Sequence, residues 1–402
     1  MNSLVSRREI LRSAAVFGVM GMFPNVARSA ASSQYRVAVI GHTGRGDYGH
    51  GMDTLWLSVP ATQLVAVADP DEAGLAKASE RLKIPSERSF SDYRAMLAQT
   101  KPDIVAIAPR HVDQHCEMAI AAARSGAKGI YIEKPFCRDL VEADQIIEAC
   151  QESNTKLAIA HRNRHHPVLP VILQLIDDGK LGKILEIRLR GKEDQRGGLL
   201  DLWVLGSHLL NLAHYFSGEP RACSAGIYQD GHPVDVKDLV EGTEGVGPLA
   251  GNEVHARFET ENGLPLFFDS IQGAGSREAG FGLQLIGSEG IIDLRADREP
   301  LAHFCSGNPH RPGIENRKWI PISSAGVGQQ EPIKDLHQLV GGHLAAAQDL
   351  LAAISEDRAP KCSAEDGRTV MEMTMAIFAS HRAGGKRVEI PLKNRSHPFA
   401  DW

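Results

Sequence analysis

Aromatic residues and an excess of positive charge are both lacking in this sequence. Phe, Trp and Tyr make up 5% of the 402 residues, and 50 acidic residues outnumber 44 lysines and arginines, so the formal net charge is -6. Nucleic-acid-binding proteins usually have a basic face, and those that bind single strands stack the bases on aromatic rings. We therefore expect no nucleic-acid partner. No apolar run reaches the roughly 18 residues that a membrane-spanning helix needs, so we also expect no stable membrane anchor.

Cysteine is scarce too, and its spacing argues against a metal site. The six cysteines have none of the spacings by which thiolates bind zinc, and we interpret them as mostly buried, small apolar residues. A cluster of His161, His165 and His166 offers a second place for a metal. It lacks a carboxylate and a helical frame, and Pro167 follows it. We therefore interpret the cluster as the rim of a ligand cleft and predict no metal.

The first 31 residues have the three parts of an export signal. Arg7 and Arg8 form a twin-arginine pattern, an apolar stretch covers residues 14–23, and the small residues 29–31 offer a cleavage site. The alternative is a frayed basic terminus. The twin-arginine route exports proteins that are already folded, usually because a cofactor must be loaded in the cytoplasm. We therefore predict a periplasmic or other extracytoplasmic protein.

Residues 34–162 alternate short β-branched strands with helices. Such alternation with short connections specifies an α/β fold with a doubly wound parallel sheet. A glycine-rich turn follows the first strand at once and, in our prediction, precedes a helix; its residues are Gly41, Thr43, Gly44, Arg45 and Gly46. Backbone amides in such a turn can approach the phosphates of a dinucleotide closely.

The turn fits the G-x-G-x-x-G pattern in two registers. Counted from Gly41, Thr43 stands in the place of the second glycine. Counted from Gly44 the pattern is complete, with Gly46 and Gly49, but it begins three residues late. We prefer the first register because the turn must begin where the strand ends. A plain glycine loop remains the alternative.

Asp69 ends the second strand and bears on the choice of cofactor. A carboxylate there accepts a hydrogen bond from the adenosine ribose 2′-hydroxyl and repels a 2′-phosphate, so NAD is favoured over NADP. The alternative is a turn aspartate that precedes Pro70.

The stretch Glu133-Lys134-Pro135 follows another buried strand. Pro135 donates no ladder hydrogen bond and pushes Lys134 out of the α region, so the strand ends there. Open α/β sheets bind ligands at this carboxyl edge. We therefore place the Lys134 ammonium beside a cofactor or a reacting hydroxyl; the alternative is an ordinary solvated charge.

The order of these motifs resembles the Gfo/Idh/MocA family, the relatives of glucose–fructose oxidoreductase and inositol dehydrogenase. The residues that carry the resemblance are the turn at Gly41, Asp69, Ala108-Pro109 with His115, Glu133-Lys134-Pro135, Gly197-Gly198 with His208, and Glu365-Asp366-Gly367. The resemblance implies an NAD(P)-binding Rossmann domain at residues 34–162. It further implies a substrate-binding and oligomerisation α+β domain at residues 163–392, with an open-faced, mostly antiparallel sheet, and a tail at residues 393–402. A homo-oligomer, either a dimer or a tetramer, is implied as well.

The resemblance also implies roles for individual residues. Lys134 would hydrogen-bond the reacting oxygen. His208 would be the general base in oxidation and the general acid in reduction, a role that suits an imidazole because it titrates near neutral pH. The cofactor contacts would be the glycine turn, Asp69, Pro109, His115, Glu133 and Lys134.

One position departs from the family pattern. The family usually has an aspartate four residues before the histidine, and here that residue is Val204. Asp201 lies about 10 Å from His208 along a helix axis, too far for a direct hydrogen bond. Asp201 therefore either binds a sugar hydroxyl or caps a helix. Further candidate substrate contacts are Arg162, Asp194 and Arg196.

These features predict an oxidoreductase that transfers a hydride between NAD and a hydroxyl of a sugar, glycoside or polyol. Because free NAD should be scarce outside the cytoplasm, we expect the cofactor to be tightly bound and to be reduced and reoxidised in one active site. Two alternatives stay open. One is an NAD-dependent glycosidase or lyase that oxidises a glycoside transiently before elimination. The other is a non-catalytic binding protein that retains the cofactor.

Overall fold

The computed structural model of the protein describes residues 34–275, 280–311 and 317–402. The predicted export signal at residues 1–31 lies outside the described residues. Within the described ranges, no helix is long and apolar enough to cross a membrane. All six cysteines are free and buried, which confirms our interpretation of them as small core residues.

A six-stranded sheet has the order β3-β2-β1-β4-β5-β6, with every neighbouring pair parallel. The strands are β1 (Tyr35–Ile40), β2 (Thr62–Ala68), β3 (Ser89–Phe90), β4 (Ile104–Ile107), β5 (Gly129–Ile132) and β6 (Lys156–Ile159). Alternate side chains of β1 enter two different cores, Val37 and Val39 on one face and Ala38 and Ile40 on the other. Apolar residues on both faces are what a sheet buried between two layers requires. The predicted doubly wound parallel sheet is confirmed.

The helices of this part are α1 (Glu72–Leu82), α2 (Tyr93–Thr100), α3 (His115–Arg124) and α4 (Leu140–Ser153). Three of them begin after an aspartate whose carboxylate accepts a free amide of the first turn, namely Asp71, Asp92 and Asp139.

The helix that we predicted directly after the glycine turn is not an α-helix. Residues 42–53 form successive turns, and only a short 3-10 helix, Thr54–Ser58, precedes β2. Gly44, Gly46 and Gly49 have φ angles of 83°, 88° and 58°. Right-handed helix needs negative φ, so these glycines make a compact turn instead of a helix.

The second sheet has the order β18-β17-β16-β15-β14-β7-β13-β12-β8-β19, and β9 pairs with β8. Strands β10 and β11 form a separate small sheet. The strands of these two sheets are β7 (Ile184–Arg190), β8 (Pro220–Gln229), β9 (His232–Pro233), β10 (Val240–Glu241), β11 (Pro248–Leu249), β12 (Glu253–Thr260), β13 (Leu266–Ile271), β14 (Gly282–Gly287), β15 (Gly290–Arg295), β16 (Ala302–Ser306), β17 (Ile320–Ser323), β18 (Gly326–Val327) and β19 (Val388–Glu389). Only β7 and β13 pair in parallel among the described strands of this sheet, so the predicted mostly antiparallel sheet is confirmed.

The remaining helices are α5 (Val168–Asp177), α6 (Gly198–Asp201), α7 (Ser207–Ser217), α8 (Leu336–Val340), α9 (Leu344–Glu356) and α10 (Ala364–Arg382). A π-helical turn, Leu202–Gly206, joins α6 to α7. Helix α10 covers one face of the second sheet, where the Ser380 hydroxyl accepts a 2.8 Å hydrogen bond from the amide of Ala225. Val254 and Phe258 of β12 are buried on that face, whereas Arg257 points to the other face and is exposed.

The end of the chain returns to the first sheet. Gly129 of β5 lies against Leu350 and Ile354 of α9. In the predicted tail, the carbonyl of Arg395 accepts the amides of Leu140 and Val141 in α4. Elements from the end of the chain therefore pack against the first sheet and its helices. The predicted domain boundary between residues 162 and 163 stays a prediction.

Candidate active site

Lys134 lies at the carboxyl end of β5 with only 5% of its surface exposed. Its Nζ donates a 2.8 Å hydrogen bond to the carbonyl oxygen of Val204. Burial lowers the pKa of Lys134, although the carboxylates of Glu133 and Glu244 act in the opposite direction. An ammonium group has three N–H donors, so two remain for a reacting oxygen.

The Val204 carbonyl belongs to the π-helical turn Leu202–Gly206, which leads directly into α7. A π-turn interrupts the regular α-helical hydrogen-bond ladder, and such turns are frequent at functional sites. The same continuous segment carries His208 in the first turn of α7. The hydrogen bond from Lys134 therefore ties the end of β5 to the helical segment that carries His208.

His208 is half-buried, and its Nδ1 lies 3.3 Å from Nδ1 of His161. Burial lowers the pKa of His208 well below its ordinary value, and the ammonium of Lys134 lowers it further. The ring is therefore neutral near physiological pH. The structure brings Lys134 and His208 together; their chemical roles stay predictions.

Glu133 is buried beside them, and its Oε1 lies 2.7 Å from Nδ1 of His50. Burial alone raises the pKa of Glu133, but the hydrogen bond from His50 and the charge of Lys134 lower it to about 2. The carboxylate is therefore ionised. On the neighbouring side, Nδ1 of His343 lies 2.7 Å from the hydroxyl of Tyr131.

The glycine turn packs closely against the end of β4. A Cβ at Gly46 would lie 2.3 Å from the backbone nitrogen of Arg110, and one at Gly41 would lie 2.2 Å from the ring of Tyr48. Real Cβ atoms do not approach other atoms so closely. Gly46, where the clash is with backbone, therefore requires glycine in either register of the motif, whereas a Cβ at Gly41 would require the Tyr48 ring to move.

Several amides of the turn already donate within the protein. They are the amides of Thr43, Gly44 and Arg45, which donate to Asp69, to the carboxylate of Asp47 and to the carbonyl of His42. Their contact with phosphates stays a prediction. Cationic side chains close to the turn, from Arg45 and Arg110, offer phosphates an alternative set of donors.

Asp69 is fully buried at the end of β2 and supports the turn. Its Oδ2 accepts a 2.8 Å hydrogen bond from the hydroxyl of Thr43, and its Oδ1 accepts the amide of Asp71 at 2.9 Å. The amide of Thr43 lies 3.1 Å from both oxygens as well, so the four or so lone-pair positions of the carboxylate are already used, and a ribose hydroxyl would have to replace one of these donors. The predicted contact between Asp69 and a ribose hydroxyl stays a prediction.

Three buried polar atoms around the turn have no hydrogen-bond partner among the described residues. They are Nε of Arg45, Nε of Arg110 and Oδ1 of Asp113. Buried polar atoms in folded proteins are almost always hydrogen-bonded. A dinucleotide carries phosphate oxygens and ribose hydroxyls that can supply the missing partners, so the residues present fit NAD.

His115 connects two strand ends. It is fully buried, with Nε2 2.8 Å from the carbonyl of Pro109 and Nδ1 2.9 Å from the carbonyl of Pro135. The loops that carry Arg110 and Lys134 are thereby held together. Both ring nitrogens face the protein's own backbone, and the predicted contacts of Pro109 and His115 with the cofactor stay predictions.

Three of the predicted substrate contacts lie near the Lys134–His208 pair. The positive charge of Arg196 lowers the pKa of Lys134, and that of Arg162 lowers the pKa of His208. Arg196 also forms an ion pair with Asp194 and, mainly through this hydrogen bond, lowers the pKa of Asp194 to about 2. Charges of both signs therefore surround Lys134 and His208.

Asp201 lies deeper than the other candidates and is fully buried. Its Oδ2 accepts the hydroxyl of Ser270 at 2.6 Å and the amide of Glu193 at 3.0 Å, while its Oδ1 has no partner among the described residues. Burial raises the pKa of Asp201. It ends α6 and makes no cap there, and its contact with a sugar stays a prediction.

A loop at residues 240–249, which we call the roof loop, covers the glycine-turn side of the site. It contains β10, β11 and a 3-10 turn, Thr243–Gly245. A Cβ at Gly245 would lie 2.7 Å from Oδ1 of Asp113, and Asp113 forms an ion pair with Arg45. The roof loop therefore contacts a residue bonded to the glycine turn.

Sequence reasoning missed several of these residues. His50, Tyr48 and Asp113 lie in or near the predicted turn and strand ends, but nothing in the local sequence marks them as site residues. The pairing of His161 with His208 joins residues 47 positions apart. Arg110 had a usable signal, because it directly follows Pro109 at a predicted strand end.

Comparison with known proteins defines the class to which this fold and site belong. The family description "Oxidoreductase family, NAD-binding Rossmann fold" (GFO_IDH_MocA) matches residues 35–161, and that of the family's C-terminal alpha/beta domain matches residues 174–390. The chain belongs to the GFO_IDH_MocA family and is an NAD-binding oxidoreductase. The resemblance found in the motifs is confirmed.

Two sugar dehydrogenases align with most of the chain. Levoglucosan dehydrogenase of Pseudarthrobacter phenanthrenivorans is 28% identical over 352 residues, which cover 80% of this chain and 88% of that protein. D-apiose dehydrogenase of Paraburkholderia graminis is 24% identical over 336 residues, which cover 78% and 84%. A solved complex of levoglucosan dehydrogenase with NADH and levoglucosan has a TM-score of 0.70 at 22% identity, and the match covers 89% of this chain and 100% of that one.

Proposed function

We propose that the protein transfers a hydride between a tightly held NAD and a hydroxyl-bearing carbon of a neutral sugar or polyol. The observation that carries the proposal is the convergence of Lys134 and His208, since Lys134 Nζ bonds the turn that precedes His208. The relatives named as levoglucosan and D-apiose dehydrogenases support the substrate class.

Each of the two side chains has a defined task in the oxidation of an alcohol. Lys134 donates an N–H of Nζ to the substrate oxygen. His208 accepts the hydroxyl proton on Nε2 while the carbon–oxygen double bond forms. Bound NAD supplies the acceptor for the hydride that leaves the carbon. In reduction, His208 returns the proton to the same oxygen.

The charges near the reacting groups support a neutral substrate. Arg196 is paired with Asp194, and the carboxylate of Glu244 acts on Lys134 from the roof loop. An anionic substrate would meet these carboxylates as well as the cations. Neighbouring donors and acceptors of both signs suit the many hydroxyls of a sugar.

The roof loop supports tight retention of the cofactor. It contacts Asp113, which is bonded to Arg45 of the glycine turn. A dinucleotide bound by Arg45 and Arg110 would therefore lie close to the roof loop, and this loop would slow its release. Slow release is useful outside the cytoplasm, where lost NAD cannot be replaced.

The test begins with mass spectrometry of protein denatured directly after purification, in which we expect released NAD. Addition of sugars and polyols without free cofactor should reduce one equivalent of bound NAD. His208→Asn should retain NAD but fail to reduce it, and Lys134→Met, at a residue also predicted to contact the cofactor, should fail to reduce the NAD that it retains. Absence of NAD, or NADP in its place, would contradict the cofactor assignment; release of the aglycone from aryl glycosides would favour the glycosidase or lyase route.

We also propose that residues 1–31 direct export of the folded protein by the twin-arginine route. The motif at Arg7 and Arg8 and the following apolar and small residues support it. A variant with both arginines replaced by lysine should remain in the cytoplasm with NAD bound. Equal periplasmic amounts of both forms would contradict the proposal.

We further propose that the protein is a homo-oligomer. The face of the second sheet away from α10 bears exposed or half-buried side chains, among them Phe267, His255 and Arg257. Sedimentation equilibrium should give the mass of a dimer or tetramer. Arg257→Glu should weaken the assembly if this face forms the contact, and a monomeric wild-type protein would refute the proposal.

A further inference from the structure

The helical segment that carries His208 gives this histidine no carboxylate partner. Val204, at the place where an aspartate was expected, is apolar. The nearest acidic side chain of the segment, Asp201, is turned towards Ser270 and Glu193. A catalytic histidine needs a partner on its second nitrogen, because that hydrogen bond selects which nitrogen carries the proton.

His161 occupies that place. Its Nδ1 lies 3.3 Å from Nδ1 of His208, and the two rings meet edge to face with centroids 5.0 Å apart. His161 is 2% exposed. Its backbone is fixed because its amide donates to Ile159 and its carbonyl accepts from Arg164. The contact therefore joins the end of β6 to α7 through a rigidly held ring.

Burial, together with the cations that face the pair, keeps both rings neutral. Burial and the ammonium of Lys134 lower the pKa of His161 to about 3, against the opposing effect of Glu133. His208 faces the same ammonium, and Arg162, Arg164 and His50 complete the set of titratable or cationic groups around the two rings. A neutral imidazole has one N–H donor and one acceptor nitrogen. Two facing Nδ1 atoms can therefore share only one hydrogen.

We propose that His161 is a positioning residue that accepts the Nδ1–H of His208 and thereby leaves Nε2 of His208 as the free base. This inference rests on the proposed function of His208. His161 thereby gives His208 a neutral partner in place of the carboxylate that the family pattern led us to expect. A neutral acceptor stabilises the imidazolium form less than a carboxylate does, so His208 releases its proton readily in the reduction direction.

The test uses three substitutions of matched shape. Asparagine and aspartate place an oxygen on Cγ, where histidine has Nδ1, and leucine places a methyl group there. His161→Leu removes the acceptor, His161→Asn keeps a neutral acceptor, and His161→Asp makes it charged. All three are compared in single turnovers of bound NAD across a range of pH, with the polyol concentration varied up to saturation, so that the rate constant at saturation (kcat) and KM are both obtained.

We expect His161→Leu to lower kcat on the order of 10- to 100-fold, by analogy with the loss that follows removal of a partner that orients a metal-bound histidine. The NAD content and KM should stay unchanged. His161→Asn should recover most of that loss. His161→Asp should move the acid limb of the oxidation profile upwards by about one pH unit or more, since a close opposite charge favours the imidazolium.

Full turnover in His161→Leu, or an acid limb that does not move in His161→Asp, would overturn the inference. His208→Asn separates this outcome from failure of the proposed function. If His208→Asn is inactive while His161→Leu is fully active, only the positioning role is wrong. If His208→Asn itself keeps wild-type turnover, the assignment of the base is wrong.

Discussion

Replacement of Gly46 by alanine tests the close packing of the glycine turn. A Cβ at this position would lie 2.3 Å from the backbone nitrogen of Arg110 and would have to move by about 1 Å to reach an ordinary contact of 3.4 Å. The collision is with backbone, so no side-chain rotation relieves it. A misplacement of about 1 Å can slow a reaction on the order of 100-fold, and we expect a comparable loss in binding when the cofactor contacts are displaced by that distance. We therefore expect NAD affinity to fall by about 100-fold, or about 2.7 kcal/mol.

Gly44 offers a matched control. Its φ of 83° is close to the 88° of Gly46, but a Cβ there has nothing within 4 Å. Gly44→Ala therefore carries the same cost of a positive φ, about 1–3 kcal/mol of folding stability, without the collision. The assay is calorimetric titration of cofactor-free protein with NAD, alongside urea unfolding. Equal NAD affinities of the two variants would refute the reasoning.

Three further predictions concern charge and burial. Glu133→Gln removes the carboxylate that supports the ammonium of Lys134, so the alkaline limb of the pH–rate profile should move to lower pH; an unmoved limb would show that Lys134 does not titrate there. Arg395→Met leaves the buried Glu372 without its ion pair and should cost about 3 kcal/mol in urea unfolding, whereas loss of the exposed pair of Arg387 should cost little. Burial lowers the pKa of His397 to about 4, so protonation of this residue favours the unfolded chain. The free energy of unfolding should therefore fall as the pH is lowered from about 6.5 to about 4. His397 alone should contribute a decrease of up to about 1.4 kcal/mol per pH unit. His397→Asn keeps an acceptor for the amide of Phe399, and its stability difference from wild type should shrink over the same pH range.

The parallel sheet was predictable from local pattern. Buried apolar runs mark β1, β4 and β5, and aspartates mark the starts of α1, α2 and α4. The strand end at Pro135 fixed the place of Lys134. These features depend on neighbouring residues in the chain, which is why a single sequence reveals them.

The partners of the candidate catalytic side chains were not predictable in the same way. His161 meets His208, and His50 meets Glu133, only because distant segments converge at one sheet edge. The prediction of a helix after the glycine turn was wrong. It followed from the dinucleotide-binding motif and did not take account of the backbone conformation that the glycines themselves favour. Four glycines between residues 44 and 51 have positive φ, which no α-helix permits.

The convergence of Lys134 and His208 on one alcohol is tested most directly by a crystal structure of the protein with NADH and a polyol that it oxidises. We expect a single hydroxyl oxygen within about 3 Å of both Lys134 Nζ and His208 Nε2, with its carbon facing the nicotinamide. A bound polyol whose reacting oxygen contacts neither group would contradict the account.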